Sequence, residues 1–314
     1  MPSKMAGATH LCLCNGACLC SKSPYWRTNA TRCRDMFAVG VSLPSDENLI
    51  RRASARGISY VELAYFPPLE GRIDSLREVL RASRVKPSSF HAPYGLECDI
   101  GSFDPDHRRS AIEQHKKHIQ YCASLGCSCY VVHPGLDSYM MQNGGSWDDT
   151  KKIAIVPRNE ETIGKLWKTN SSAFAEIADS AAGLGVVVAA ETGPANIMSP
   201  QETLDIVRRA DRKNLGVCLD SGHVNVGKII RPADAIRLIG PLLCTVHLHD
   251  NNGEGDLHLV PGRGSIDWKG VVKALEDANY GGVLNLELAP ADWKDEAVWE
   301  QIEEGVAFLS HLRP

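Results

Sequence analysis

Short apolar runs alternate with longer amphipathic stretches along most of this chain. FAVGVSL (37–43), GISYVELAY (57–65), PSSFHAPYG (87–95) and CSCYVVHPG (127–135) read as strands. GVVVAAETG (185–193), LGVCLDSGH (215–223), LLCTVHLHD (242–250) and GGVLNLELA (281–289) continue the series. Between them the spacing predicts helices over about 45–56, 73–83, 106–125, 171–184, 232–239, 268–279 and 295–312. Ser45 is the expected cap of the first. Another opens at Ser199, with the serine as N-cap and Pro200 at the first helical position. Strands alternating with helices eight times predict an α/β fold, a single (β/α)8 barrel over residues 36–314 with no second domain. The rhythm pauses once, at 136–167, a stretch with Asn-Gly-Gly and a Trp. It is expected to be a long functional loop, a candidate lid after the fourth strand. Residues 1–35 match nothing that follows and are expected to be a disordered Cys-containing extension, or to precede a true start at Met36.

Composition narrows the partners. At 314 residues, 43% hydrophobic and 23% charged, the chain is long enough for one large barrel. A net charge of −4 and a pI near 6.3 argue against a nucleic-acid partner. No run of eighteen apolar residues suggests a membrane span. Of the eleven cysteines, Cys12, Cys14, Cys18, Cys20 and Cys33 fall in the extension, without the C-x2-C spacing of structural zinc sites. The others lie mostly in apolar segments, as small buried hydrophobes do. Reduced thiols fit a cytoplasmic protein.

The candidate chemistry is concentrated in CTVHLHDNNGEGDLHLVPGRG (244–264), which holds His247, His249, Asp250, Asp256 and His258. Leu243, Val246 and Leu248 are apolar, and Thr245, His247 and His249 alternate onto the other face. Other strand ends carry His91, His133, Glu191, Asp220, His223 and Glu287. In a barrel of this kind the C-terminal ends of the strands carry the chemistry. Buried carboxylates are costly unless paired or bound to metal, so the convergence predicts a divalent metal site. Glu62, near the end of the second strand, fits a structural salt bridge or a substrate contact equally well.

FHAPYG, VVHPG, AETG, CLDSGH, HLHDN, the D-x-H-L-x-PG-x-G turn and NLEL occur in this order over essentially all of 36–314. The set resembles the xylose-isomerase-like TIM barrel superfamily, in particular its sugar phosphate isomerase/epimerase group, which is related to endonuclease IV. The resemblance implies one Mn²⁺, Mg²⁺ or Co²⁺ held by Glu191, Asp220, His247 and Glu287. It implies Glu191 and Glu287 as the catalytic pair, moving a proton through an enediolate of a carbohydrate substrate. His91, His133, His223, His249, Asp256 and His258 would be substrate contacts or ligands to additional metal. Ketose 3-epimerases tend to carry Arg where His258 stands, which points away from a free ketose. The endonuclease IV side of the resemblance implies zinc instead. There His91, His133, Glu191, Asp220, His223, His247, Asp256, His258 and Glu287 would form a multi-metal phosphodiesterase site. A homo-oligomer is compatible with either reading.

Overall fold

The computed structural model describes residues 37–193 and 198–312; the Cys-rich extension lies outside them. Eight parallel strands close into a barrel: β1 (Val39–Pro44), β2 (Tyr60–Ala64), β3 (Lys86–His91), β4 (Cys129–Val132), β7 (Val187–Glu191), β8 (Leu215–Asp220), β9 (Leu243–Leu248) and β10 (Leu284–Leu286). Closure is made by β1 against β10, with Val39 opposite Leu284 and Val41 opposite Leu286. The chain is therefore the single (β/α)8 barrel expected from its rhythm.

The helices follow from periodicity and caps. In α2 (Ile73–Ser83) the buried positions are Leu76, Val79 and Leu80, the three- and four-residue spacing of one helix face. In α6 (Pro200–Ala210) Ser199 and Glu202 form a reciprocal capping box, with Pro200 in the first turn. The first helix, α1 (Glu47–Ala55), starts later than expected. Asp46 is its N-cap, accepting from the amides of Asn48 and Leu49, while the Ser45 hydroxyl donates to the Ala64 carbonyl at 2.7 Å and ties β1 to β2.

The 136–167 stretch is more ordered than a loop. It contains α4 (Asp137–Gln142) and an antiparallel hairpin, β5 (Ser146–Asp148) with β6 (Ile153–Ile155). Helix α5 (Glu160–Ala182) begins eleven residues before the expected Ser171, capped by Asn159. The hairpin turn reaches the connection between β9 and the helix Trp268–Asp277: the Asp256 amide donates to the Lys151 carbonyl at 2.6 Å. Gly255 permits this approach, since a Cβ there would lie 2.7 Å from that carbonyl oxygen. A second departure follows β8, where the chain turns at once into a short helix, α7 (Ser221–Gly227), capped by Asp220. His223 thus sits in a first helical turn.

Below the mouth, the barrel interior divides by chemistry. Cys129, Val131, Ala189 and Cys218 pack as a small apolar cluster. On the other side Asn285 donates to the hydroxyls of Ser89 at 3.3 Å and Thr245 at 3.1 Å.

Candidate metal centre at the barrel mouth

Glu191, Asp220, His247 and Glu287 each present one ligand atom within 4.8 Å of the others, and so do His91, Glu191 and His247. A third group, His223, His249, Asp256 and His258, satisfies the same condition. Glu191 ends β7 and Asp220 ends β8, His247 is the penultimate residue of β9, and Glu287 follows β10 directly. Parallel pairing sets their height, with Asp220 opposite His247 and Glu287 held by its amide on the Leu248 carbonyl at 3.1 Å.

Glu191 is the hub. Its Oε2 lies 3.1 Å from His91 Nε2 and 3.2 Å from His133 Nε2, and its Oε1 lies 3.3 Å from His247 Nδ1. His247 Nδ1 is also 3.1 Å from Glu287 Oε2 and 4.0 Å from Asp220 Oδ2. In the third group Asp256 Oδ2 is 3.1 Å from His258 Nε2 and 3.4 Å from His223 Nε2. His249 Nε2 stands between the groups, 3.0 Å from Asp220 and 3.6 Å from Asp256. Its ring lies over Gly222, where a Cβ would come within 1.9 Å.

The histidines are aimed from behind. His91 Nδ1–H donates to the Ala92 carbonyl at 2.7 Å, His223 Nδ1–H to Thr192 at 2.7 Å and His258 Nδ1–H to Glu287 at 3.2 Å. Each turns Nε2 toward the site, one of the two orientations in which an imidazole can bind metal. His258 takes a left-handed backbone conformation, φ 46°, next to the Asp250–Leu259 bridge. Asp250 is in none of the three groups. Its carboxylate accepts from the Gly262 and Ile266 amides and the Trp268 indole, tying down the Pro-Gly turn.

Burial opposes the charge on His91, His258, Asp220 and Glu191, and proximity overrides it. His91 is pushed up to about 9 by Glu191 despite its burial. His258 is likewise raised to about 9, chiefly by Asp256. Asp220, against His223 and His249, is lowered to about 2. Glu191 is held well below the usual carboxylate range by His133 and His247. Three buried polar atoms, Glu287 Oε2, Asp256 Oδ1 and His249 Nδ1, have no hydrogen bond. Glu287 Oε2 is close to His247 but outside hydrogen-bonding geometry. Orphaned acceptors in a nest of carboxylates and imidazoles are the donor set a divalent cation fits. Glu287 and His133, at 20% and 30% side-chain exposure, line the way in.

Two residues gain meaning from the structure. Glu62 is fully buried and faces His247. Tyr94, which no periodicity singled out, is 75% exposed, with its ring 5.3 Å from that of His133. Its place three residues after His91 was the available signal.

Among known proteins, an uncharacterised protein of Methanocaldococcus jannaschii is 29% identical over 203 residues, 63% of this chain and 62% of that relative. The chain thus spans less than two thirds of that relative's length. The D-psicose 3-epimerase of Ruminiclostridium cellulolyticum is 26% identical over 267 residues, 82% of this chain and 84% of the relative. Among solved structures, D-psicose 3-epimerase with D-tagatose from Clostridium cellulolyticum H10 superposes with a TM-score of 0.70. Its identity is 20%, with 88% of this chain and 99% of that one covered, a likeness of fold. The xylose isomerase-like TIM barrel model matches residues 50–311. With nearly the whole barrel matched, the chain belongs to the xylose isomerase-like TIM barrel family.

Proposed function

We propose that this barrel is a divalent-metal-dependent isomerase or epimerase of a sugar or sugar phosphate. The observation that carries the reading is the convergence of Glu191 and Glu287 with Asp220 and His247 at one point of the mouth. Four relatives named as D-psicose or ketose 3-epimerases support it. Glu191, Asp220, His247 and Glu287 would hold the ion, which supplies positive charge to the oxygens of an enediolate. The proton is moved by the chain. Both glutamates are held in the ionised, basic form, Glu191 well below the usual range and Glu287 below it. One removes a proton from the carbon beside the carbonyl, and the other, once it has taken up a proton from solvent, returns it to that carbon. Tyr94 and His133, at the open edge, would contact the distal part of the sugar.

The test is exchange in D₂O with Mn²⁺ present, followed by NMR on a panel of ketoses and their phosphates. Deuterium should enter at the carbon next to the carbonyl, and Glu287→Gln should stop it. Full exchange by Glu287→Gln sinks the mechanism.

A second reading rests on the His223–Asp256–His258 group and on His91 and His133 against Glu191, the arrangement a multi-metal phosphodiesterase would use. Metal content per chain separates the two: about one equivalent supports the isomerase, and two or three of zinc, with cleavage of an abasic-site oligonucleotide, support the alternative.

A further inference from the structure

His91, His223 and His258 are each oriented by a backbone carbonyl on Nδ1. His247 is turned the other way round, and a carboxylate does the orienting. Its Nε2–H points at Glu62, 2.9 Å from Oε1 and 3.0 Å from Oε2, while Nδ1 faces Glu191 and Glu287.

Glu62 comes from β2, and His247 from β9 across the barrel. The carboxylate is fully buried. Ser42 donates to its Oε1 at 3.0 Å, and Ser89 to its Oε2 at 2.5 Å. Ser89 in turn accepts from Asn285, whose carbonyl oxygen accepts from Ser88 at 2.8 Å. Glu62 is therefore clamped by hydroxyls from both sides, with the imidazole N–H at its open end. Among the described residues no Lys or Arg is paired with it. A buried carboxylate without a cationic side chain is an expensive way to fill space. The two hydroxyls offset part of that cost, and the imidazole N–H at its open end adds a third donor.

We infer that Glu62 is a positioning residue for His247: by accepting Nε2–H it presents the Nδ1 lone pair to the mouth and makes it a stronger donor. The inference rests on the proposed role of His247 as a ligand, and on no particular substrate. An imidazole backed by a carboxylate binds metal more tightly than one backed by a neutral group, and losing such a partner typically costs 10- to 100-fold in affinity.

The experiment uses the full chain, stripped with chelator and titrated with Mn²⁺ by calorimetry. Glu62→Gln, nearly isosteric, should raise the Mn²⁺ dissociation constant about 10- to 100-fold. Ser89→Ala, which loosens the clamp without touching His247, should raise it by a smaller factor. A Glu62→Gln dissociation constant within twofold of the parent, even with a lowered melting temperature, makes Glu62 merely structural and overturns the inference. A second readout needs no metal. The parent should show a downfield, slowly exchanging imidazole N–H proton that disappears in His247→Gln and in Glu62→Ala; its survival in Glu62→Ala also overturns the inference. Tight Mn²⁺ binding that depends on Glu62, with no proton exchange on any sugar, refutes the sugar isomerase and leaves this inference standing.

Discussion

His91 and His258 at the mouth and the pair on α3 (Pro105–Ser124) are all largely buried and electrically opposite. His115 and His118 are three residues apart on one helix face, both buried. His115 Nδ1 lies 2.9 Å from the Tyr130 hydroxyl and Nε2 3.2 Å from the Cys98 carbonyl. The His118 ring packs 4.1 Å from that of Tyr65. Burial pushes both down to about 4, and they stay neutral. At the mouth the same desolvation acts on His91 and His258, yet facing carboxylates lift both to about 9. Depth alone does not decide what a histidine does. The neighbours decide it: a phenol and a carbonyl for His115, and the face of Tyr65 for His118.

Removing the hub of the mouth should give the largest contrast. Glu191→Ala deprives His91, His133 and His247 of their shared counter-charge. Bound metal, read by elemental analysis, should fall to background and proton exchange by more than about 10³-fold. Retention of half the metal would show that the site is not organised around this carboxylate.

The α3 pair should govern acid sensitivity. A folded pKa near 4 lies below the unfolded value of about 6.5, so the unfolded chain takes up protons first as pH falls. Stability is full above about 6.5 and declines towards pH 4, by up to about 3 kcal/mol for fully buried His115. Urea midpoints of the chelator-treated protein should follow this slope, and His115→Gln should flatten it. An unchanged slope would place the acid-sensitive group elsewhere.

The smallest effect belongs to the rim. Tyr94→Ala should raise KM several-fold, with kcat and melting temperature nearly unchanged, because the ring is mostly exposed. Equal falls in kcat and kcat/KM would instead put the phenol among the groups that act on the reacting carbons.

The legible parts of this molecule are those in which local pattern and global position coincide. β7 and β8 are apolar until they finish on Glu191 and Asp220, so one pass along the sequence finds both the strand and the carboxylate at its end. The start of α5 was obscured by its polar first turns, although Asn159 followed by two glutamates is a cap signal and Ile163, Leu166 and Asn170 form the buried stripe. Ser221 to His223 reads as the end of a strand, because nothing local announces that Asp220 both faces the mouth and caps a helix. Asp250 looks like a member of the centre by proximity in sequence, yet its acceptors are spent on the turn that follows. Glu62 and His247 are 185 positions apart, and their pairing exists only once the barrel has closed.

The contact between the β5–β6 turn and Asp256 has an inheritance consequence. Because the Lys151 carbonyl holds the Asp256 amide and Gly255 lies bare beneath it, a change of backbone in the outer hairpin would be passed to the His223–Asp256–His258 group. Residues 146–155 and 253–258 would therefore have to be exchanged together. A transplanted hairpin that left its companion loop behind would bring a new rim and a misplaced carboxylate together.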